Sequence, residues 1–317
     1  MNKADALLLL PRLRVQNANA ISGPLTWGFP SPTAFTGFTH ALHRCMAHPE
    51  LTLDGVGIIS HRFEPQVFRP PGKRTQVFRL TRNPVDKNGD SAPFVEEGRA
   101  HLEMSLLIGV HGYLDEVEGK YFAEEVQSTV QGMRLAGGSV LPPLDEERFK
   151  PQWISLPDDQ QGRDAVFRRE RRRLLPGFAL VGREDLLRTH LAELRERQPD
   201  ATVLDALLDL SRLNIEPVVD DPEQPEKITW QVRRKPGWLV PIPVGYGAIS
   251  ALYEPGEVVN ARDESTPFQF VESLYSLGEW VSPHRLESLQ QLLWHHQAQP
   301  DAGLYRCINT FTSTDAI

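Results

Sequence analysis

HLEMSLLIGVH, residues His101–His111, alternates strictly with a period of two. Leu102, Met104, Leu106, Ile108 and Val110 fall on one side. His101, Glu103, Ser105, Leu107, Gly109 and His111 fall on the other. That period is a strand's, with an aliphatic face for a core and a mostly polar face turned away from it. Downstream, Phe122, Val126 and Val130 recur at helical spacing. Met133–Leu141 then reads as another strand, broken by Gly137-Gly138. Upstream, Leu51–Phe63 carries Val56, Ile58 and Ile59 between glycines and reads as a strand. Before it, Ser31-Pro32 supplies a helix N-cap and a proline at the first helical position, and Phe35, Phe38, Leu42 and Cys45 mark the helix that follows. Ala6–Val15 is an apolar first strand, joined to that helix by Ser22–Pro30, a Gly/Pro-rich loop with Trp27 and Phe29.

The order strand, helix, strand, strand, helix, strand is the ferredoxin-like arrangement shared with RNA-recognition domains: two helices cover one face of a four-stranded sheet and the other is exposed. The predicted class is therefore α+β, with a ferredoxin-like (RRM-like) βαββαβ core over 1–145. Residues 64–100 interrupt it where a short hairpin loop belongs, at about ten times that loop's usual length. Pro70-Pro71-Gly72 and Asn88-Gly89 offer turns, and Thr75–Arg82 alternates, so the segment is expected to project as a thumb-like β-hairpin insertion; a disordered loop is the alternative, against which the apolar Val77, Phe78 and Leu80 count. In 146–317, Leu187, His190, Leu191 and Leu194 predict one helix, and Leu204, Leu207 and Leu208 another. Pro217–Glu226 reads as an acidic exposed loop and Lys235–Gly256 as an ordered irregular segment. Ser282-Pro283 is expected to start a last helix carrying Leu286, Leu289, Leu292 and Leu293. This half is thus a mixed helical and irregular region packed on the core.

A net charge of −8 argues against a general nucleic-acid coat, but the cations are segregated. Arg62, Arg69, Lys73, Arg74, Arg79 and Arg82 face only Glu64 in their stretch. Arg163–Arg183 holds seven arginines, including the run Arg168–Arg173, and Arg233-Arg234-Lys235 form a third group. Such clusters suit a polyanion or an acidic partner; solvated faces are the alternative. The longest apolar run, Leu7–Leu10, falls far short of the about 20 residues of a membrane helix, and Pro11, Arg12 and Arg14 spoil a signal peptide, so a cytoplasmic location is expected. Cys45 and Cys307 lack a CxxC partner or ligand-spaced histidines; no metal or other cofactor is expected.

No nucleophile elbow, Walker lysine, HExxH or carboxylate cluster marks a catalytic site. His101 and His111 lie about 33 Å apart along a strand, too far to cooperate. His295-His296 are read as helical neighbours pointing apart. His61, beside the insertion, is the one isolated general-base candidate, with a structural or phosphate-contacting role as the commoner outcome. Trp27, Phe29, Trp238 and Tyr246 are candidates for stacking on bases, against a core role for each.

Six longer strings carry a resemblance: NANAISGPLTWGFPSPTAFTGF (Asn17–Phe38), GKRTQVFRLTRNP (Gly72–Pro84), EEGRAHLEMSLLIGVHG (Glu96–Gly112), MRLAGGSVLP (Met133–Pro142), RRLLPGFALVGRE (Arg172–Glu184) and KPGWLVPIPVGY (Lys235–Tyr246). Together they resemble the Csy subunit of the Cas5 group in type I-F CRISPR surveillance complexes, a repeat-associated RNA-binding protein. The resemblance implies a non-catalytic subunit that grips the 5′ handle of the CRISPR RNA (crRNA) beside the large Csy subunit and the first backbone subunit. Target DNA would pass near by, and no membrane or lone homo-oligomer is implied. Phosphate contacts are expected from Arg69, Lys73, Arg74, Arg79 and Arg82. Arg134 with Gly137, Gly138 and Ser139 is similar to the family's glycine-rich loop, where a bare backbone admits RNA closely. Asn17 and Asn19 would read bases or ribose hydroxyls. Two other classes stay open: a metal-independent crRNA-processing endoribonuclease working through His61, and a pure protein adaptor.

Overall fold

A computed structural model describes residues 3–82, 84–85, 87–91, 94–219, 228–261 and 263–311. The first part of the chain runs β1 (Ala6–Asn19), α1 (Pro32–Met46), β2 (Thr52–Pro65), β3 (Val67–Phe68), β4 (Val77–Phe78), β5 (Leu80–Arg82), β6 (Phe94–Glu96), β7 (Arg99–His111), α2 (Glu116–Gln131), β8 (Arg134–Leu135) and β9 (Gly138–Leu141). The rest runs β10 (Gln152–Ser155), α3 (Gln160–Glu170), β11 (Phe178–Gly182), α4 (Glu184–Arg197), α5 (Val203–Ser211), β12 (Ile215–Val219), β13 (Ile228–Val232), β14 (Leu239–Ala248), β15 (Val271–Val281), β16 (Leu293–Gln299) and β17 (Leu304–Asn309). The whole is α+β, built on one large antiparallel sheet with helices packed against it. Among the described residues no helix is long and apolar enough to cross a membrane.

Strands β2, β7, β1 and β9 lie side by side in that order, each antiparallel to its neighbour. All five aliphatic residues of the β7 alternation are buried in the main core. Phe35, Phe38 and Leu42 of α1 and Phe122, Val126 and Val130 of α2 close that core from above. The Ser31 hydroxyl caps α1 by accepting from the Thr33 N–H, and Asp115 with Glu118 forms a capping box on α2. Cys45, expected on the buried face of α1, is exposed.

The other sheet face departs from expectation. Leu7, Leu9, Ile59 and Leu107 are buried there under Ile154, Phe167, Leu174, Val281, Leu286 and Leu289. The first strand is apolar on both faces because a second layer of structure covers this part of the sheet, while the end bearing Arg14, Arg62 and His101 borders an open groove.

Three further readings of the second half are corrected. Lys235–Gly256 holds a strand, β14, despite its prolines: Pro241 and Pro243 lie opposite Leu277 and Tyr275 of β15, the register slips just after Pro243, and β17 pairs only with Gly245–Gly247, so neither proline is asked for an N–H on that side. Residues 283–291 make two 3-10 turns instead of a helix, and the chain then extends into β16, so His295 and His296 are strand residues. Of the expected loop Pro217–Glu226, residues 217–219 belong to β12 and the remainder lies outside the described residues. The helices predicted at 187–194 and 204–208 are α4 and α5.

The second half does more than pack on the first. Strand β2 pairs with β16 at Val56 and Gly57 and with β11 at Ile59 and Ser60. The circuit β2, β11, β15, β14, β17, β16 therefore returns to β2, a closed ring in which every strand has two neighbours. Trp294 fills its interior with Leu180, Ile242, Val244 and Cys307.

Candidate nucleic-acid interface

The insertion leaves β2 at Pro65 and returns at Arg99. Its ladder is broken in two: β3 pairs with β4 and β5 with β6. The Arg79 N–H donates to the Gln66 carbonyl, and the Gln66 N–H to the Arg99 carbonyl, which seats its base on the sheet. Phe78 meets Trp27 edge to face at 5.2 Å, and this pair fastens the base to the loop after β1. Trp27 still exposes 57% of its surface, whereas Phe29 packs against Phe35, Phe63 and Trp280 and is a core residue. Beyond that base, Arg69, Lys73, Arg74 and Arg79 are exposed, and among the described residues none of their cationic groups has an acidic partner. Arg82 ends β5.

Gly137 and Gly138 do not interrupt one strand; they help to turn a hairpin. Ala136 (φ +49) and Gly137 (φ +74) form its two-residue turn between β8 and β9, both with the positive φ that a type I′ turn demands. Arg134 pairs with Ser139 across the hairpin, and both side chains are exposed. Gly138 is required for a different reason: a Cβ there would lie 2.6 Å from the Gln16 carbonyl oxygen and 2.7 Å from the Ala18 nitrogen. Gly138→Ala must push two backbones apart and is expected to cost about 1–3 kcal/mol. Gly137→Asn should be nearly silent, since nothing lies within 4 Å of its Cβ and asparagine tolerates this backbone region. Urea unfolding of the two variants measures the contrast.

Asn17 and Asn19 link the insertion to the hairpin. Asn17 has φ +58 at a bulge of β1, and its side-chain oxygen accepts from Gln66, which also reaches His101. The Asn19 N–H donates to the Ala136 carbonyl at 2.8 Å, while its amide closes a turn with both the N–H and the carbonyl of Ile21. Two open grooves border these residues. One, of about 410 Å³, lies between Asn19, Ala136, Ser31, Tyr246 and Tyr305. The other, of about 260 Å³, crosses the uncovered sheet face at Arg14, Gln16, Arg62, His101 and Glu103. Neither groove was foreseen, although the alternation of Arg14 and Gln16 with Leu13 and Val15 carried the signal for the second.

The other basic clusters serve largely to hold the chain together. Arg163 is buried and donates to the Ala4 carbonyl; Arg171 donates to the Leu286 carbonyl. Arg169 and Arg173 flank the buried carboxylate of Glu170 at 2.7 and 2.9 Å. Arg233 and Arg212 grip Asp209 at 2.6 and 2.9 Å, and Lys235 donates to the Leu210 carbonyl. Asp209, with His190 added, is held well below the usual carboxylate range by these hydrogen bonds, against the opposing push of its burial.

His61 is engaged at both ring nitrogens. Nδ1–H donates to the Pro176 carbonyl at 2.6 Å, and Nε2 accepts from the Ser105 hydroxyl at 2.7 Å, itself an acceptor for the Arg12 N–H. A neutral ring satisfies this chain with one proton on Nδ1, and burial pushes its pKa below the ordinary histidine value. A histidine depressed in the folded state binds fewer protons than in the unfolded chain, so stability is lost as pH falls through and below about 6.5. His61→Gln is expected to flatten that decline, as read from urea midpoints at neutral and mildly acidic pH.

The amino-acid sequence is similar to known proteins along almost its entire length. The family model described as CRISPR-associated protein (Cas_Csy2) matches residues 8–307. CRISPR-associated protein Csy2 of Pseudomonas aeruginosa (strain UCBPP-PA14) is 59% identical over 309 residues, which cover 95% of this chain and 94% of that protein.

Proposed function

Because the chain belongs to the Csy2 family of CRISPR-associated proteins, we propose that it is a non-catalytic subunit of a type I-F CRISPR (Csy) surveillance complex and holds the 5′ handle of the crRNA. One observation carries the RNA part of this reading: Arg69, Lys73, Arg74 and Arg79 stand exposed, and without acidic partners among the described residues, on an insertion outside the core, in a chain of net charge −8. Cations left unneutralised against an acidic body are the footprint of a phosphate backbone. The insertion supplies those contacts, with Arg82 next along its sequence, and the hairpin of Arg134 and Ser139, turned at the exposed Gly137 and seated on β1 by Gly138, lets RNA approach the backbone. Asn17 and Asn19 line the passage between them, and Tyr246 offers a ring at its margin.

In this reading residues 1–145 are a ferredoxin-like core of the Cas5 type, supported by the strand order β2, β7, β1, β9 with α1 and α2 on one face. Residues 146–317 complete the sheet ring and present surfaces to the large and first backbone subunits. The endoribonuclease reading draws no support from His61, whose two nitrogens are taken by Pro176 and Ser105.

The test is the nucleic acid that accompanies the chain when it is purified with its large-subunit partner. Sequencing from the 5′ end should return one repeat-derived handle, with retention falling steeply as salt rises. Random RNA fragments, or none, would defeat the proposal.

A further inference from the structure

Three elements distant in sequence converge on one cluster away from the basic insertion: His40 on α1, Asp54 on β2 and His296 on β16. His40 Nε2 lies 3.1 Å from His296 Nδ1, and His296 Nδ1 lies 3.8 Å from Asp54 Oδ1. Those three atoms all fall within 4.8 Å of one another. In a tetrahedral zinc site with bonds of about 2.0–2.1 Å, ligand atoms are separated by about 3.3 Å. The spacings from His296, 3.1 and 3.8 Å, lie on either side of that edge, and the third, from His40 to Asp54, is bounded by 4.8 Å and would shorten as the Asp54 carboxylate closes on the ion.

The surroundings support the arrangement. His295 Nδ1 holds the second carboxylate oxygen of Asp54 at 3.1 Å and turns Oδ1 toward the other two groups. That approach is possible because residue 55 is glycine: a Cβ there would lie 2.5 Å from the His295 ring. Gly55 has φ +77 within a bulge where β2 slips against β7 between Leu53 and Val56, so a local kink aims Asp54 out of the ladder. Tyr305 stacks on the His296 ring at 6.3 Å, and His40 meets that ring edge-on at 4.4 Å. The three ligand side chains are half-buried or exposed, so an ion has access from solvent.

We propose that His40, Asp54 and His296 form a binding site for one divalent transition-metal ion of the zinc class, with His295 as a positioning residue for the carboxylate. Two imidazoles and one carboxylate favour zinc or its neighbours over magnesium or calcium, which prefer all-oxygen sites. Three protein ligands leave the fourth position to water or to a group from a partner. The ion ties α1 to β2 and to a strand 256 residues further along the chain, so its binding free energy adds to fold stability. This site is independent of the RNA reading.

The experiment uses the full-length chain without a histidine tag, stripped with chelator and reloaded with zinc chloride or cobalt chloride. One metal per chain after gel filtration, a raised thermal midpoint and the visible bands of four-coordinate cobalt are expected. His40→Gln and His296→Gln should abolish stoichiometric uptake, His295→Gln should weaken it about 10–100-fold, and the exposed His284→Gln should leave it unchanged. Uptake well below one per chain, or no four-coordinate cobalt spectrum from the unsubstituted protein, overturns the proposal. So does wild-type uptake by both His40→Gln and His296→Gln, which would reduce the pair to a histidine–histidine hydrogen bond.

Discussion

Replacing Lys73, Arg74 and Arg79 with glutamate is expected to remove crRNA from the purified complex while leaving the chain folded. The reversal changes the local charge by about six on a surface that would face phosphates, so lost attraction is compounded by repulsion. Each phosphate contact contributes about one unit to the slope of log affinity against log salt, so a loss of about 2–3 units accompanies the fall in affinity. An affinity drop on the order of a thousandfold or more follows from three such contacts at physiological salt. Stability should hardly move, since none of the three side chains is buried or paired with an acidic group among the described residues. Arg168→Glu with Arg172→Glu is the matched control: both are exposed cations of a cluster whose other members hold the chain together. Equal RNA yield from the triple variant and the native chain would refute the insertion as the RNA-gripping element.

How much of this was legible differs by element, and for physical reasons. The β7 alternation was read correctly in its aliphatic half because period two survives wherever one strand face meets a core. Its second face misled, since Leu107 and Ser105 are covered by a layer contributed from 152–182 and 281–293, which no local pattern reveals. Ser31-Pro32 and Asp115 announced α1 and α2 through capping chemistry, which is local and therefore readable. Strands β14 and β16 were missed because prolines and a leucine spacing of three argued against them, and ring closure with β2 and β15 outweighed both preferences. The basic insertion was legible as charge. The convergence of Asp54 with His40, His295 and His296 was not, because it depends on pairing between residues more than two hundred positions apart.

Trp294→Ala should give the largest loss of stability of any single substitution considered. The indole is only 2% exposed and fills the ring interior beside Leu180, Ile242 and Val244. Its Nε1–H donates to the Leu180 carbonyl at 2.8 Å, joining β16 to β11, the two strands that meet the same edge of β2 where the ring closes. Truncation removes the ring's apolar area and leaves a cavity, at a cost of about 3–5 kcal/mol. It also strands the buried carbonyl of Leu180, which adds about 1–3 kcal/mol. Against a total stability of about 5–15 kcal/mol, the variant should unfold on the order of 10 °C earlier or fail to accumulate. Trp294→Phe separates the two contributions, because it keeps most of the ring volume and loses only the donor. Its expected cost is about 1–3 kcal/mol. A loss below about 1 kcal/mol for the alanine variant in urea unfolding would mean that the ring is held by its ladders alone and not by what fills it.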